Sequence, residues 1–383
     1  MERIEFMPIR ILLTGAGSGG HVYPLIAVAE ELQKLAGQTS QDLELKFIGA
    51  GGFIKDAAVI MGVAVIDIAS PKWRRYLSIQ NFVDSLKVPL GFLQALFHVW
   101  QFMPDLIFSK GGHDSFLPVL AARLFSIPII IHESDVIPGK ANLRVGKWAK
   151  KIFLAFDEAR VYFKQNSIEV VGNPMRAGIA NLVDKAVALS AFNLDPNKPT
   201  VLITGASQGA QVINEKLLLS LTELTKKFQV IHQCGLNNYD NTNSQILRIV
   251  KEGEGTFGKV IAENYRLYPA FDLQQMTLAY SASDVIVGRS GAGTIFEIAA
   301  VGKPAIIIPL KGSASDHQLA NAREFAKFGA IVIEQDNLTA HILINEIENA
   351  YGNRVELSQK IKQFARLEAA RIIAQQILGF VIS

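Results

Sequence analysis

A chain of 383 residues, 49% of them hydrophobic and with 38 Lys and Arg against 35 Asp and Glu, is long enough for two core-forming domains and excludes disorder as its main state. The net charge of +3 gives no ground for a nucleic-acid partner, because tracking phosphates takes clustered Lys and Arg without compensating acids. The one cysteine, Cys234, excludes an intrachain disulfide, a thiolate metal cage and a CxxC redox pair, so a reducing cytoplasmic compartment is expected.

At the N-terminus Glu2 and Glu5 interrupt any basic segment, and the apolar run 9–13 is too short for a signal-peptide core, so no secretion is expected. From there short apolar runs rich in Ile, Val and Phe alternate with longer amphipathic stretches, the pattern of parallel strands joined by crossover helices. The expected strands are 9–14, 43–49, 105–109, 128–132 and 151–154, with helices such as 21–36, 79–102 and 114–125 between them. A turn-forming Gly172-Asn173-Pro174 then breaks the pattern, and 177–198 reads as a connector. The alternation resumes with strands near 200–204, 228–233, 284–287 and 304–308 and helices near 208–226, 293–301 and 316–328. The segment Ile11-Leu-Leu-Thr-Gly-Ala-Gly-Ser-Gly-Gly20 is echoed by Val201-Leu-Ile-Thr-Gly-Ala-Ser-Gln-Gly-Ala210, each an apolar strand, a threonine, a small-residue turn and a helix start. This predicts an α/β chain of two Rossmann-like, doubly wound parallel-sheet domains, 1–176 and 177–366, with an apolar-faced helix in 367–383 returning to pack on the first.

Gly15-x-Gly17-x-x-Gly20 satisfies the dinucleotide fingerprint, but the second strand ends Phe47-Ile48-Gly49-Ala50-Gly51 without the acid that would hold a ribose, which disfavours a nicotinamide dehydrogenase. What remains is a backbone that a ligand can approach closely and helix N–H groups that favour phosphate; the alternative is a tight turn with no ligand. In a two-domain α/β protein the ligand site is expected in the crevice at the carboxyl ends of the strands. His21, directly after the first turn, is a candidate general base, with an ordinary loop-bonded helix histidine as the alternative. Arg289-Ser-Gly-Ala-Gly-Thr-Ile-Phe-Glu297 supplies a further phosphate-binding helix start. Glu297 suits a ribose diol or simply the helix dipole. In Asp316-His-Gln318 the polar groups suit sugar hydroxyls, or Asp316 is an N-cap. The sequence has no HExxH, no Walker lysine after a GxxxxG and no GxSxG.

Thr14-Gly-Ala-Gly-Ser-Gly-Gly-His21, His132-Glu-Ser-Asp135, Val171-Gly-Asn-Pro-Met-Arg176, Gly205-Ala-Ser-Gln-Gly-Ala210, the 289–297 segment and Asp316-His-Gln318 occur in an order that resembles glycosyltransferase family 28 of the GT-B fold, over nearly the whole chain. The resemblance is to the branch that adds N-acetylglucosamine to undecaprenyl-diphosphate-linked muramyl-pentapeptide in peptidoglycan synthesis. It implies an interdomain cleft, inversion at the anomeric carbon, UDP-N-acetylglucosamine as co-substrate, and no cofactor or metal. By the same resemblance His21 is the base that deprotonates the acceptor's C4 hydroxyl. Ser18, Gly19, Gly20, Asp135, Arg176, Ser207, Leu273, Ala292, Gly293, Thr294, Ile295, Phe296, Glu297 and Gln318 then hold the donor, and Gly17, Gly111, Gly112 and Asn142 the acceptor. The sequence departs from the family pattern at Asp135, where His-Glu-Gln-Asn is usual, and at Gly15-Ala-Gly-Ser, where Gly-Gly-Thr is usual.

A lipid-linked acceptor requires contact with a bilayer. The 86–102 stretch holds Leu90, Phe92, Leu93, Leu96, Phe97, Val99 and Trp100, too short a run to span and interrupted by Lys87 and Pro89. With Lys72, Arg74 and Arg75 before it and the run Lys140, Arg144, Lys147, Lys150 and Lys151 after, it is expected to lie on an anionic membrane surface at the cytoplasmic face; the alternative is a crossover helix buried on the sheet. Competing functions are a GT-B transferase using diacylglycerol, a UDP-sugar epimerase of similar architecture, and a nucleotide-sugar-binding protein without turnover.

Overall fold

The computed structural model describes residues 8–15, 19–49, 58, 61–69, 79–164, 167–205 and 209–382, with 19, 21 and 79–86 described in backbone alone. The chain divides into two compact units, residues 1–176 with 366–383 and residues 177–365.

The first unit runs β1 (Ile9–Thr14), α1 (Gly19–Gln38), β2 (Leu43–Gly49), β3 (Ala64–Asp67), α2 (Ile79–Phe102), β4 (Leu106–Ser109), α3 (Phe116–Leu124), β5 (Ile129–Glu133), α4 (Lys140–Val145), β6 (Lys151–Leu154) and β7 (Ile168–Val170). In the second unit the order is α5 (Lys185–Ala191), β8 (Thr200–Thr204), α6 (Gln211–Lys227), β9 (Gln229–Gln233), α7 (Tyr239–Glu252), α8 (Phe257–Asn264), β10 (Tyr265–Tyr268), α9 (Leu273–Ala282), β11 (Val285–Gly288), α10 (Ala292–Val301), β12 (Ala305–Ile307), α11 (His317–Ala326), β13 (Ile331–Val332), α12 (Ala340–Gly352) and α13 (Arg354–Lys362). The last helix, α14 (Ala369–Ile382), belongs to the first unit and packs along α1.

Each unit is one parallel sheet, ordered β3-β2-β1-β4-β5-β6-β7 and β10-β9-β8-β11-β12-β13. In the first, Ile11, Leu13, Phe47 and Phe108 face a core completed by α1 and α14, while Leu12, Ile48, Ile107 and Ile131 face one completed by α2 and α3. Strands buried on both faces favour apolar residues on both, and the middles of the interior strands are predominantly Ile, Leu, Val and Phe. The four strands that sequence reading did not anticipate, β3, β7, β10 and β13, are the four sheet edges. They are short and largely half-exposed, without the two-sided burial that marks the interior strands. Three helices begin later than expected, α3 because residues 113–115 form a separate 3-10 turn ahead of Phe116. Gly209 and Ala210 are not helical (φ +74° and −138°), so α6 starts at Gln211, and Asp316 is left-handed (φ +53°), so α11 starts at His317.

In the second unit His232 of β9 is wholly buried, with Nδ1 2.6 Å from the Tyr265 hydroxyl and Nε2 3.0 Å from Asn214 Oδ1. Burial pulls its pKa from 6.5 down to about 3. The unfolded chain therefore takes up a proton below pH 6.5 that the folded one refuses, and stability falls as pH drops through that window by ~1.4 kcal/mol per pH unit at most. In His232→Gln this slope should vanish. Urea denaturation at neutral pH and at pH 5 should then show the wild type losing about 2 kcal/mol more than the variant; equal losses would contradict the assignment.

Candidate active site

Both sheets reverse their winding where a central strand has neighbours reached in opposite directions, beside β1 and β4 in the first unit and beside β8 and β11 in the second. The loops leaving the carboxyl ends of those strands are where a doubly wound sheet offers backbone groups to a ligand. Buried Thr14 and Thr204 close the two central strands, their hydroxyls donating to Ile48 O (2.8 Å) and Gln233 Oε1 (2.5 Å).

In the first unit β1 leads through Gly15 to α1. Gly17, Ser18 and Ser207 lie outside the described residues, Gly20 is exposed on the first turn of α1, and His21 follows it in the same turn. Gly111 and Gly112 turn the chain after β4 with φ of +85° and +91°, and a Cβ on Gly111 would lie 2.7 Å from Asn142 Oδ1, so glycine is required there. Asn142 is buried, and its amide nitrogen donates to His132 O (3.1 Å) and Glu133 Oε2 (2.9 Å). Its donors thus brace the β5 loop. Glu133 also accepts from the backbone N–H of Asp135 (3.0 Å) and Gly139 (3.2 Å), and half-buried Asp135 is held beside it. Arg176, at the end of the unit, lays its guanidinium 4.4 Å over the Tyr23 ring of α1.

In the second unit α10 starts at Ala292 with no side-chain cap, and added Cβ atoms on Gly291 and Gly293 would meet nothing within 4 Å. The start of α10 is thus uncapped by a side chain, with open space beside Gly291 and Gly293, a setting that suits an anion. Ile295 and Phe296 are core residues: the Ile295 N–H is bonded to Gly291 O (3.2 Å), and the Phe296 ring packs 4.7 Å from that of Phe364. Glu297 is buried and accepts a 3.0 Å hydrogen bond from the Tyr280 hydroxyl. Tyr280 lies on α9, whose first residue is Leu273, so one helix carries both Leu273 and the group that orients Glu297. Leu273 opens onto a cavity of about 380 Å³ lined also by Ala177, Val183, Thr277 and Leu278.

Gln318 Oε1 accepts from the Leu310 N–H (3.0 Å), fixing its side chain across the loop after β12. That loop carries two consecutive left-handed residues, Ser315 and Asp316, and backbone strain of this kind concentrates at ligand sites. Asp316 stands at the N-cap position of α11 without a side-chain cap bond, and Ser313 Oγ accepts the Gln318 N–H instead (3.2 Å). Arg289 is a buried brace, donating to Ile308 O, Pro309 O and Gln335 Oε1 (3.1, 3.3 and 2.9 Å); burial lowers its pKa to about 10. Among the described residues no three His, Cys, Asp or Glu side chains are grouped to hold a metal ion. Lys110 and Tyr280 were not singled out by sequence reading, and Glu133 entered only within the motif 132–135, with no role of its own. The available signal was position: Lys110 directly follows β4 and Glu133 closes the neighbouring β5.

The sequence matches the N-terminal domain of glycosyltransferase family 28 over residues 11–154 and its C-terminal domain over 200–377. It is 35% identical, over 94% of this chain and 93% of the other, to the "UDP-N-acetylglucosamine--N-acetylmuramyl-(pentapeptide) pyrophosphoryl-undecaprenol N-acetylglucosamine transferase" of Legionella pneumophila (strain Paris). The chain belongs to glycosyltransferase family 28. A relative of the same name from Clostridium perfringens (strain 13) is 33% identical over 92% of this chain and 93% of its own. Among solved structures, Acinetobacter baumannii MurG superposes with a TM-score of 0.73 at 26% identity, covering 97% of this chain and all of that one. Both family 28 domains coincide with a parallel sheet, and the two sheets together are the GT-B architecture.

Proposed function

We propose that this family 28 enzyme is an inverting hexosyltransferase of the MurG branch. It moves N-acetylglucosamine from UDP-N-acetylglucosamine to the C4 hydroxyl of undecaprenyl-diphosphate-linked N-acetylmuramyl-pentapeptide, a step of peptidoglycan synthesis. The observation that carries this reading is identity of 33–35% across more than nine-tenths of the chain with enzymes named for that transfer. The second unit takes the donor. The open N-terminus of α10 receives the diphosphate, Glu297, held by Tyr280, accepts from the ribose diol, Leu273 borders the base, and Gln318 meets sugar hydroxyls. The first unit takes the acceptor. His21 removes the C4 hydroxyl proton as that oxygen attacks the anomeric carbon opposite the departing UDP, and the charge growing on UDP is met by α10 N–H groups.

The lipid-linked acceptor brings the enzyme to a membrane surface. Among the described residues no helix is long and apolar enough to cross a membrane. α2 instead has two apolar faces. Ala95, Val99 and Phe102 are buried, Phe92 and Leu96 pack against that core, and Leu90, Leu93, Phe97 and Trp100 stand more than half exposed at helical spacing. A stripe of this kind with exposed Lys140, Arg144, Lys147 and Lys150 in the same unit suits peripheral docking on an anionic leaflet, at the cytoplasmic face. Lys72, Arg74 and Arg75 lie outside the described residues.

Incubation with labelled UDP-N-acetylglucosamine and the lipid-linked muramyl acceptor should give a disaccharide product; transfer to diacylglycerol, or none, would refute the reading. His21→Ala should lower kcat by ~100-fold or more while leaving UDP affinity nearly unchanged, and a variant turning over at the wild-type rate would remove the assigned base. Glu297→Ala should weaken UDP-sugar binding by about 1.5–3 kcal/mol in calorimetry; an unaltered Kd would leave Glu297 only its helix-dipole role. Trp100→Ser with Phe97→Ser should abolish sedimentation with phosphatidylglycerol vesicles. Binding that ignores both these changes and the salt concentration would exclude α2 as the docking face.

A further inference from the structure

Lys110 directly follows β4. Its N–H donates to Thr14 O (2.8 Å), and a Cβ on Gly15 would lie 3.0 Å from its own Cβ, so it sits against the first glycine turn where the winding reverses. Only 1% of it is exposed. Its ammonium is hydrogen-bonded to Ser134 Oγ, which donates to Asn173 Oδ1 (3.2 Å). The charges facing it come from the neighbouring β5 loop, the carboxylates of Glu133 and Asp135. His132, beside them, is bonded through Nε2 to Gly172 O (2.8 Å), and buried Asp114, in the loop after β4, pairs with His113 (2.9 Å). Burial pulls the Lys110 pKa down to about 8 and pushes that of Glu133 up to about 7, while attraction between the ammonium and the carboxylates works against both shifts.

A lysine with almost no access to water has lost its hydration and keeps its charge only through what surrounds it. Conversely, Glu133 and Asp135 repel each other, and Glu133 must stay ionised to hold the Asp135 and Gly139 N–H groups and the Asn142 amide that shape the loop. Removing the cation would raise the Glu133 pKa further, loosen this ring of bonds, and leave an acidic loop where a diphosphate is to dock. We propose that Lys110 is a positioning residue that balances the Glu133 and Asp135 charges, so that the loop 133–142 keeps its shape beside an anionic acceptor. This rests on the reading that the first unit takes a lipid-diphosphate substrate.

The test compares wild type, Lys110→Met, Asp135→Asn and the double variant for transfer at varied acceptor and saturating donor between pH 6 and 9, with thermal melts alongside. Lys110→Met should lower kcat/KM for the acceptor by ~30-fold or more while changing UDP affinity less than about 3-fold. The acid limb of its pH profile should move upward. Adding Asp135→Asn removes the uncompensated charge, and the double variant should recover roughly 10-fold of the loss and return the acid limb toward wild type. A merely structural lysine predicts no such rescue. Lys110→Met within about 3-fold of wild type, or a double variant no better than the single one, would overturn the proposal. Should Lys110→Met not fold, a double variant that regains a cooperative melt supports the charge balance, and one that does not refutes it. Failure of the acceptor reading shows differently, as an inactive wild type, and rescue of the melt then decides the proposal alone.

Discussion

Burial of both faces of two parallel sheets is the constraint from which the rest follows. Interior strands such as Ile129–Glu133 and Thr200–Thr204 are buried at every position, so polar side chains are driven to the strand ends. At the carboxyl ends of neighbouring strands those side chains are only a strand spacing apart, about 5 Å. Thr14, Ser109, Lys110, His132 and Glu133 gather there in the first unit, and Thr204, Gln233, Arg289 and Ser290 in the second; all are buried. The chemistry is thus concentrated by packing before any ligand is considered.

The two edges solve different electrostatic problems. In the second unit the start of α10 has no side-chain cap, and Arg289, the cation nearest that start in sequence, is occupied in joining the loops after β11 and β12. The first unit carries real buried charge, with Lys110 set against Glu133 and Asp135. Such a cluster is sensitive to the loss of any member, because what is left behind is an uncompensated ion in a low dielectric. Left-handed Ser315 and Asp316 are tolerated in a loop pinned by Gln318 and Ser313, which holds the polar groups ahead of α11 in one arrangement.

The α2 helix shows how one element can pack a core and still leave an apolar stripe exposed. Its apolar content was ambiguous as sequence, since both a lipid-facing and a core-facing helix are rich in Leu, Phe and Trp. The fold sorts the residues. Gly91 is required on the buried side, where a Cβ would lie 1.9 Å from Ala69 O, and Phe97 and Trp100 are left on the other.

Sequence alone determined the interior strands, most crossover helices, the repeated strand-to-turn motif and the family, because two-sided burial and glycine-rich turns leave local marks that need no partner to be read. It did not reveal the four edge strands, short and half-solvated, nor the late starts of α6 and α11, which left-handed or extended residues dictate. Nor could it separate ligand groups from braces. Asn142, Ile295 and Phe296 lie in segments that look like binding motifs, yet the Asn142 donors and both other side chains are used inside their units. Tyr280, 17 positions before Glu297, and Lys110, 23 before Glu133, acquire their partners only across neighbouring elements. Those pairings depend on which strands and helices become neighbours, and tertiary structure alone decides that.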